Sequence, residues 1–390
     1  MLYFLSHPIQ YISPLLKILA NKIDLDVVYF SDVSIKGGED IGFGQAIKWD
    51  TPLLDGYSFY FVNNWFRGKP VNNNFLDVFN PGVIKLLWKS NHKIVVVNGW
   101  TYSSNWLVFI FGRLLGKEIW LRAESPLNQE LRKGKITLFV KSILLQHILF
   151  KFFIDKFLYI GTQNKAFYQY YGVYEEGRFI HTPYAVDNDF FKSQAKALKN
   201  VKLNLLRELS IPLEKKIILF SGKYIDKKRP LDLLKAYSLL PQDLYVLVFV
   251  GDGHLRIEME KYILNKKLKN VILTGFINQS QISKYYAVAD VFVMCSGLGE
   301  TWGLSVNEAM NFGLPVVVSE TCGSSFDLVE SGTNGYVFKE GAIEELKTYL
   351  EIICQDTSLR ELYGKASIEK INEYNHYFTA GNIVKSLDSL

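Results

Sequence analysis

Cysteine is scarce: Cys295, Cys322 and Cys354 are the three in a chain of 390 residues. An odd count at wide spacing excludes a disulfide framework and offers no zinc-binding cluster, so a reducing cytoplasm is the expected setting. Charge of one sign is also in short supply. The net charge is +5, which suits anionic ligands or acidic lipid headgroups and is too weak for a nucleic-acid-binding protein. No uncharged apolar run reaches the ~18 residues of a membrane-spanning helix, so none is expected. The opening Met1-Leu2-Tyr3-Phe4-Leu5 lacks the basic start and long apolar segment of a secretory signal and reads as a first strand. Short-period repeats and low-complexity tracts are absent as well.

What is present is ordinary globular material. Apolar residues make up 48% and charged residues 21%, enough to bury the cores of the two or three domains that this length favours. Aromatics reach 15%, with 23 Tyr and 27 Phe, which implies aromatic-rich cores and leaves some rings for a sugar or lipid surface. Short apolar runs at 2–5, 25–30, 94–97, 119–121 and 157–160 alternate with helical patterns in the first half. Runs at 217–220, 245–250, 271–273, 291–294 and 315–318 do so in the second. Continuous β-rich runs point to strands covered on both faces, and alternation with helices points to parallel, doubly wound sheets. The pattern restarts once, after Pro183 and the Asp187-Asn188-Asp189 cluster. The expectation is an α/β chain of two Rossmann-like domains facing a cleft. Residues 1–184 form the first and 185–375 the second, and a terminal helix near 376–390 packs back on the first. No Gly-x-Gly-x-x-Gly follows either first strand, which argues against a nicotinamide dehydrogenase.

The strongest local signal is Gly299-Glu300-Thr301-Trp302-Gly303-Leu304-Ser305-Val306-Asn307-Glu308-Ala309. It runs from a strand through a glycine-bearing loop into a helix. A helix start presents backbone N–H groups and a positive dipole end, so the amides of Gly303, Leu304 and Ser305 suit a phosphate. Glu300 in the loop and Glu308 in the helix can face one cleft, where carboxylates accept hydrogen bonds from sugar hydroxyls. The second signal is Gly222-Lys223 with Lys228, after the first strand of the second domain. Two ammonium groups at that strand's carboxyl end would neutralise a diphosphate as it departs; the alternative is a solvated basic loop. Gly251-Asp252-Gly253 is a tight turn after a strand. Gly275-Phe276-Ile277 reads either as a wall for a base or as a plain turn.

Together these strings resemble the donor domain of the retaining glycosyltransferases with the two-domain GT-B fold, family 4 or glycosyltransferase group 1. Gly313-Leu314-Pro315-Val316-Val317, Gly323, Glu330 and Gly332-Thr333-Asn334-Gly335 fit the same pattern, and the match covers about 180–375. The resemblance implies a nucleotide sugar, UDP- or GDP-linked, as co-substrate, with no other cofactor and no metal. Glu300 would hold the donor sugar, Glu308 the ribose hydroxyls, and Lys223 and Lys228 the diphosphate. The first half is more distant. Ser6-His7-Pro8-Ile9-Gln10-Tyr11, Gly42-Phe43-Gly44, Trp49-Asp50 and Leu54-Asp55-Gly56-Tyr57 resemble bacterial surface-polysaccharide transferases, which implies a glycan or lipid-linked acceptor. Where many members carry a histidine after a middle strand, this chain has Leu121-Arg122-Ala123-Glu124-Ser125. Arg122 and Glu124 are therefore candidates to touch the donor, or else to form a structural pair.

Two readings stand beside the transferase: a sugar-nucleotide epimerase of related fold, and a non-catalytic sugar-nucleotide-binding protein. Asp24-Leu25-Asp26 resembles a metal-binding D-x-D, but without a ligand cluster nearby it reads as structural. From Arg132 to Gln169 there are seven Lys/Arg and a single acid, Asp155. Within that region, 136–156 is an amphipathic helix pattern. It either packs on its own sheet or makes a peripheral contact with an anionic membrane, at the inner face of the cytoplasmic membrane.

Overall fold

A computed structural model describes residues 1–32, 35, 39–40, 45–46, 52–66 and 74–387. Gly42-Phe43-Gly44 and Trp49-Asp50 lie outside them. The chain divides into two compact units. One comprises Met1–Gly38, Pro52–Tyr184 and His376–Leu390, the other Glu39–Thr51 and Ala185–Asn375.

The first unit is built on seven strands: β1 (Leu2–Leu5), β2 (Asp26–Tyr29), β3 (Ser58–Phe61), β4 (Ile94–Asn98), β5 (Glu118–Arg122), β6 (Lys156–Tyr159) and β7 (Phe179–His181). They lie in the order β3-β2-β1-β4-β5-β6-β7, and every pairing is parallel. Alternate residues feed two cores. Tyr3, Val27, Val96 and Trp120 face the helices Ser13–Ala20 and His376–Leu387, while Phe4, Val28, Val97 and Leu121 face the other side. A sheet buried on both faces explains the unbroken apolar runs in the sequence. The helix His376–Leu387 is tied down by the Asn382 amide donating to the His181 carbonyl at 2.8 Å and Thr379 Oγ1 to Pro183 at 3.1 Å.

The second unit repeats the plan with β8 (Lys216–Ser221), β9 (Tyr245–Val250), β10 (Val271–Leu273), β11 (Val291–Met294), β12 (Val316–Ser319) and β13 (Gly335–Phe338). Their order is β10-β9-β8-β11-β12-β13, again all parallel. Three strands carry weak sequence signals. Ser58–Phe61 is an exposed edge strand, Phe179–His181 is three residues long before Pro183, and Gly335–Phe338 opens on a glycine of a turn-like string. The Asp187-Asn188-Asp189 cluster is a helix start: the Asp187 carboxylate accepts from the Phe190 N–H at 2.9 Å and caps Asn188–Leu198. The Asp24 and Asp26 carboxylates lie 3.7 and 3.0 Å from the His92 ring, a local structural cluster.

Candidate active site

Ligands of open α/β sheets bind where the strand order reverses, off the carboxyl ends of the strands. In the second unit that point lies between β8 and β11. The loops 222–229 and 295–303 leave these two strands, and both sequence signals lie on them. The loops are stitched together by the Gly297 N–H donating to the Lys227 carbonyl at 2.8 Å. Ser305 Oγ donates to the Ser221 carbonyl at 3.1 Å and fastens the start of the helix Leu304–Asn311 to the end of β8.

Within this frame Lys228 and Glu300 meet directly as an ion pair. Glu300 is only 6% exposed, and Ser296 Oγ donates to the same oxygen that meets Lys228, Oε2, at 3.2 Å. Burial works to raise its pKa, but Lys228 and Lys227 overcome that and hold the carboxyl below its ordinary value. Glu308 has the opposite balance. It is half-buried on the helix, and burial pushes its pKa up to about 7 despite a 2.6 Å hydrogen bond from the Tyr286 hydroxyl and the field of Lys228. Two carboxyls around one ammonium group thus carry different proton affinities, a separation that functional sites use.

The loop geometry depends on close backbone approach. Gly303 has φ +95, and a Cβ there would lie 2.7 Å from Cys322 Sγ. A Cβ at Gly323 would fall 1.8 Å from the Thr301 carbonyl oxygen. Trp302 Nε1 donates to Asn307 Oδ1 at 2.8 Å and locks the loop to the helix that follows it. The first amides of that helix, from Gly303 through Leu304 and Ser305, have no preceding turn to bond to. Lys223 is half-buried directly after Gly222 in the neighbouring loop. Gly222 donates to the Val250 carbonyl at 2.9 Å, and Gly251 donates to Gly275 at 3.0 Å. Gly275, Phe276 and Ile277, all half-buried, therefore continue the same rim beyond β10.

Arg122 and Glu124 belong to the first unit. There Tyr184 links them: its ring centroid is 4.9 Å from the Arg122 guanidinium and its hydroxyl donates to the Glu124 carboxylate. Arg122 is 2% exposed, and its Nε and Nη1 have no hydrogen-bond partner. Tyr11 packs edge-on against Tyr184 at 5.1 Å, and His7 is held by Ser6 at 2.9 Å. Tyr286 and Ser296 lie outside every motif, and Trp302 and Asn307 lie within the Gly299–Ala309 string without a role that the string itself reveals. Ser296 carried the one usable signal, its place directly after an apolar strand.

Two doubly wound parallel sheets in one chain, the second with a phosphate-suited helix start flanked by acids and lysines, define the GT-B class of glycosyltransferase fold. Solved structures agree over the whole length. The Anabaena protein HepE in complex with UDP and glucose matches 100% of this chain and 99% of its own with a TM-score of 0.70 at 16% identity. Sucrose-phosphate synthase from Thermosynechococcus elongatus matches with 0.73 at 18% identity, again over 100% and 99%. Residues 201–370 match the family Glycosyl transferases group 1. The chain is similar to sulfoquinovosyl transferase SQD2 of Arabidopsis thaliana, 34% identical over 42% of this chain and 31% of the relative. It is also similar to alpha-monoglucosyldiacylglycerol synthase of Acholeplasma laidlawii, 30% identical over 47% and 46%. The chain spans less than half the length of these curated relatives.

Proposed function

We propose that this chain is a retaining glycosyltransferase that moves a sugar from a UDP- or GDP-linked donor to a glycan or lipid-linked acceptor, in surface polysaccharide assembly. The observation that carries this reading is the Lys228–Glu300 pair beside Glu308 at the reversal point of the second sheet. Lys228, Lys223 and the start of the helix Leu304–Asn311 would neutralise the pyrophosphate. Glu308 would accept the ribose hydroxyls and Glu300 those of the sugar. Lys228 exchanges one anionic partner, Glu300, for another, the leaving diphosphate, so its charge is compensated before and after donor binding. With ammonium groups serving the leaving diphosphate, transfer proceeds without metal, and turnover unchanged by EDTA checks this. Attack by the acceptor hydroxyl on the face that the diphosphate leaves gives retention without a carboxylate nucleophile. The acceptor is assigned to the first unit. The reading places the chain in the cytoplasm, where its three buried cysteines remain thiols, at the inner face of the membrane.

The test is a thermal-shift screen of UDP, GDP and their sugars on the full chain, followed by product analysis with and without acceptors. One of the two nucleotides should stabilise by ~2.7 kcal/mol at a hundred times its Kd. Conversion of the donor sugar without any acceptor would identify an epimerase. Tight nucleotide binding without turnover on an acceptor panel would identify a sensor, and no nucleotide shift at all would remove the reading.

A further inference from the structure

The helix Lys135–Ser142 continues without a break into Ile143–Phe153, wound as a π-helix. Such winding normally occupies a single turn; here it spans 11 residues. Its inner side is firmly built into the first unit. Leu145, Leu149 and Phe150 are buried in the core, and the Phe150 ring lies 4.9 Å from Phe157 and 5.7 Å from Tyr168. Among the described residues, its outer side is exposed. Ile136 is 82% exposed, Phe139 65%, Val140 57% and Phe152 56%, with Ile143, Leu144 and Ile148 beside them. The helix Ser103–Leu114, which packs against this segment, adds Leu114 at 74%. Apolar exposure of this kind in one continuous stripe marks an interaction surface.

Charge identifies the occupant. Residues 131–154 carry five basic side chains, Arg132, Lys133, Lys135, Lys141 and Lys151, and no acid. Arg132, Lys133 and Lys135 are exposed at one end of the stripe and Lys151 near the other. The fifth, Lys141, is the anchor. It pairs with the buried Glu130 at 2.6 Å, as Lys133 does at 2.8 Å, and its ammonium lies 5.4 Å from both the Trp100 and Phe167 rings. Tyr171 donates to the same carboxylate at 2.8 Å. This node holds the helix in one rotation, with the apolar stripe outward.

We propose that this face docks in the plane of an anionic bilayer, with Ile136, Phe139, Val140, Ile143 and Phe152 in the acyl boundary and Arg132, Lys135 and Lys151 on the headgroup phosphates. The proposal deepens the membrane-side reading given above and supplies its lipid partner. Length and composition alone would let Lys135–Phe153 cross a membrane. Crossing would strip Leu145, Leu149 and Phe150 out of the core, so the helix lies on the bilayer. A second copy of the chain fits poorly, because an isologous contact through this face sets its cations against one another.

The test is co-sedimentation of the full chain with phosphatidylcholine vesicles made with and without phosphatidylglycerol. Binding should need the anionic lipid. Phe139→Ser with Ile143→Ser should lower partitioning at least ~30-fold. Lys135→Gln with Lys151→Gln should lower it on the order of 30-fold, and this pair leaves the apolar packing untouched if the serine pair fails to fold. Each variant is also tested for its nucleotide-induced thermal shift, which reports the second unit separately and should be unchanged. Equal binding with and without phosphatidylglycerol, or wild-type binding by both variants, would overturn the proposal. So would a wild-type dimer that the serine pair converts to monomer.

Discussion

Glu308→Gln separates two effects of one carboxyl group that run in opposite directions with pH. The Glu308 pKa stands at about 7 against an ordinary 4.5, because burial disfavours the ionised form. At ~1.4 kcal/mol per pH unit, that rise makes the carboxylate cost the folded state up to ~3 kcal/mol once it ionises. The raised pKa therefore contributes stability that is complete below about 4.5 and is lost as pH rises through about 7. Glutamine removes the titration. The variant should match wild type at pH 5 and exceed it at pH 8, by roughly 2–4 °C for each kcal/mol recovered. Donor binding shows the reverse trend, since the proposed role needs a carboxylate to accept two ribose hydroxyls. If only the ionised form binds, affinity for a nucleotide sugar falls about tenfold from pH 8 to pH 6. In Glu308→Gln the affinity should be uniformly weak and flat with pH. A nucleotide sugar is the right ligand because its diphosphate diester keeps the same charge across this range. The assays are thermal unfolding without ligand and calorimetric titration with it, both across pH. Parallel pH profiles for the two proteins, in either assay, would refute the assignment.

The other predictions concern the same site. Glu300→Gln should lower turnover by at least ~100-fold while leaving nucleotide affinity intact or tighter, because Lys228 loses its competing carboxylate; steady-state kinetics and calorimetry separate the two. Lys228→Met takes the nearest cation from the buried Glu300 carboxylate and should cost ~3 kcal/mol of stability at neutral pH. The double variant Lys228→Met with Glu300→Leu should regain that stability in denaturant unfolding but not nucleotide binding. Gly323→Ala forces a methyl group to 1.8 Å from the Thr301 carbonyl oxygen, so it should cost ~1–3 kcal/mol in thermal unfolding and abolish the nucleotide shift as the 300–303 loop moves.

Much of the fold is legible in the residue order. The buried central strands appear as unbroken Val/Ile/Leu/Phe runs because both of their faces are covered, and Tyr245–Val250 is the clearest case. Ser58–Phe61 is not legible, because an edge strand exposed along its length carries no burial pattern. Gly335–Phe338 is disguised by the turn residues before it. For the site, the spacing of Glu300 and Glu308 around a helix start, and of Lys228 after a strand, could be read because each is a local feature of one loop.

The sequence by itself determined the alternation of strands and helices, the restart near 185, and which short loops carry acids, lysines and tight glycines, since all of these depend on neighbours along the chain. Only the tertiary structure decided that β8 and β11 stand side by side, so that Lys228 reaches Glu300, 72 positions further along the sequence. It also decided that the Tyr286 hydroxyl meets Glu308. Proton affinity follows from burial and from charges brought near by folding, and for that reason two glutamates eight positions apart differ in a way that no local pattern records.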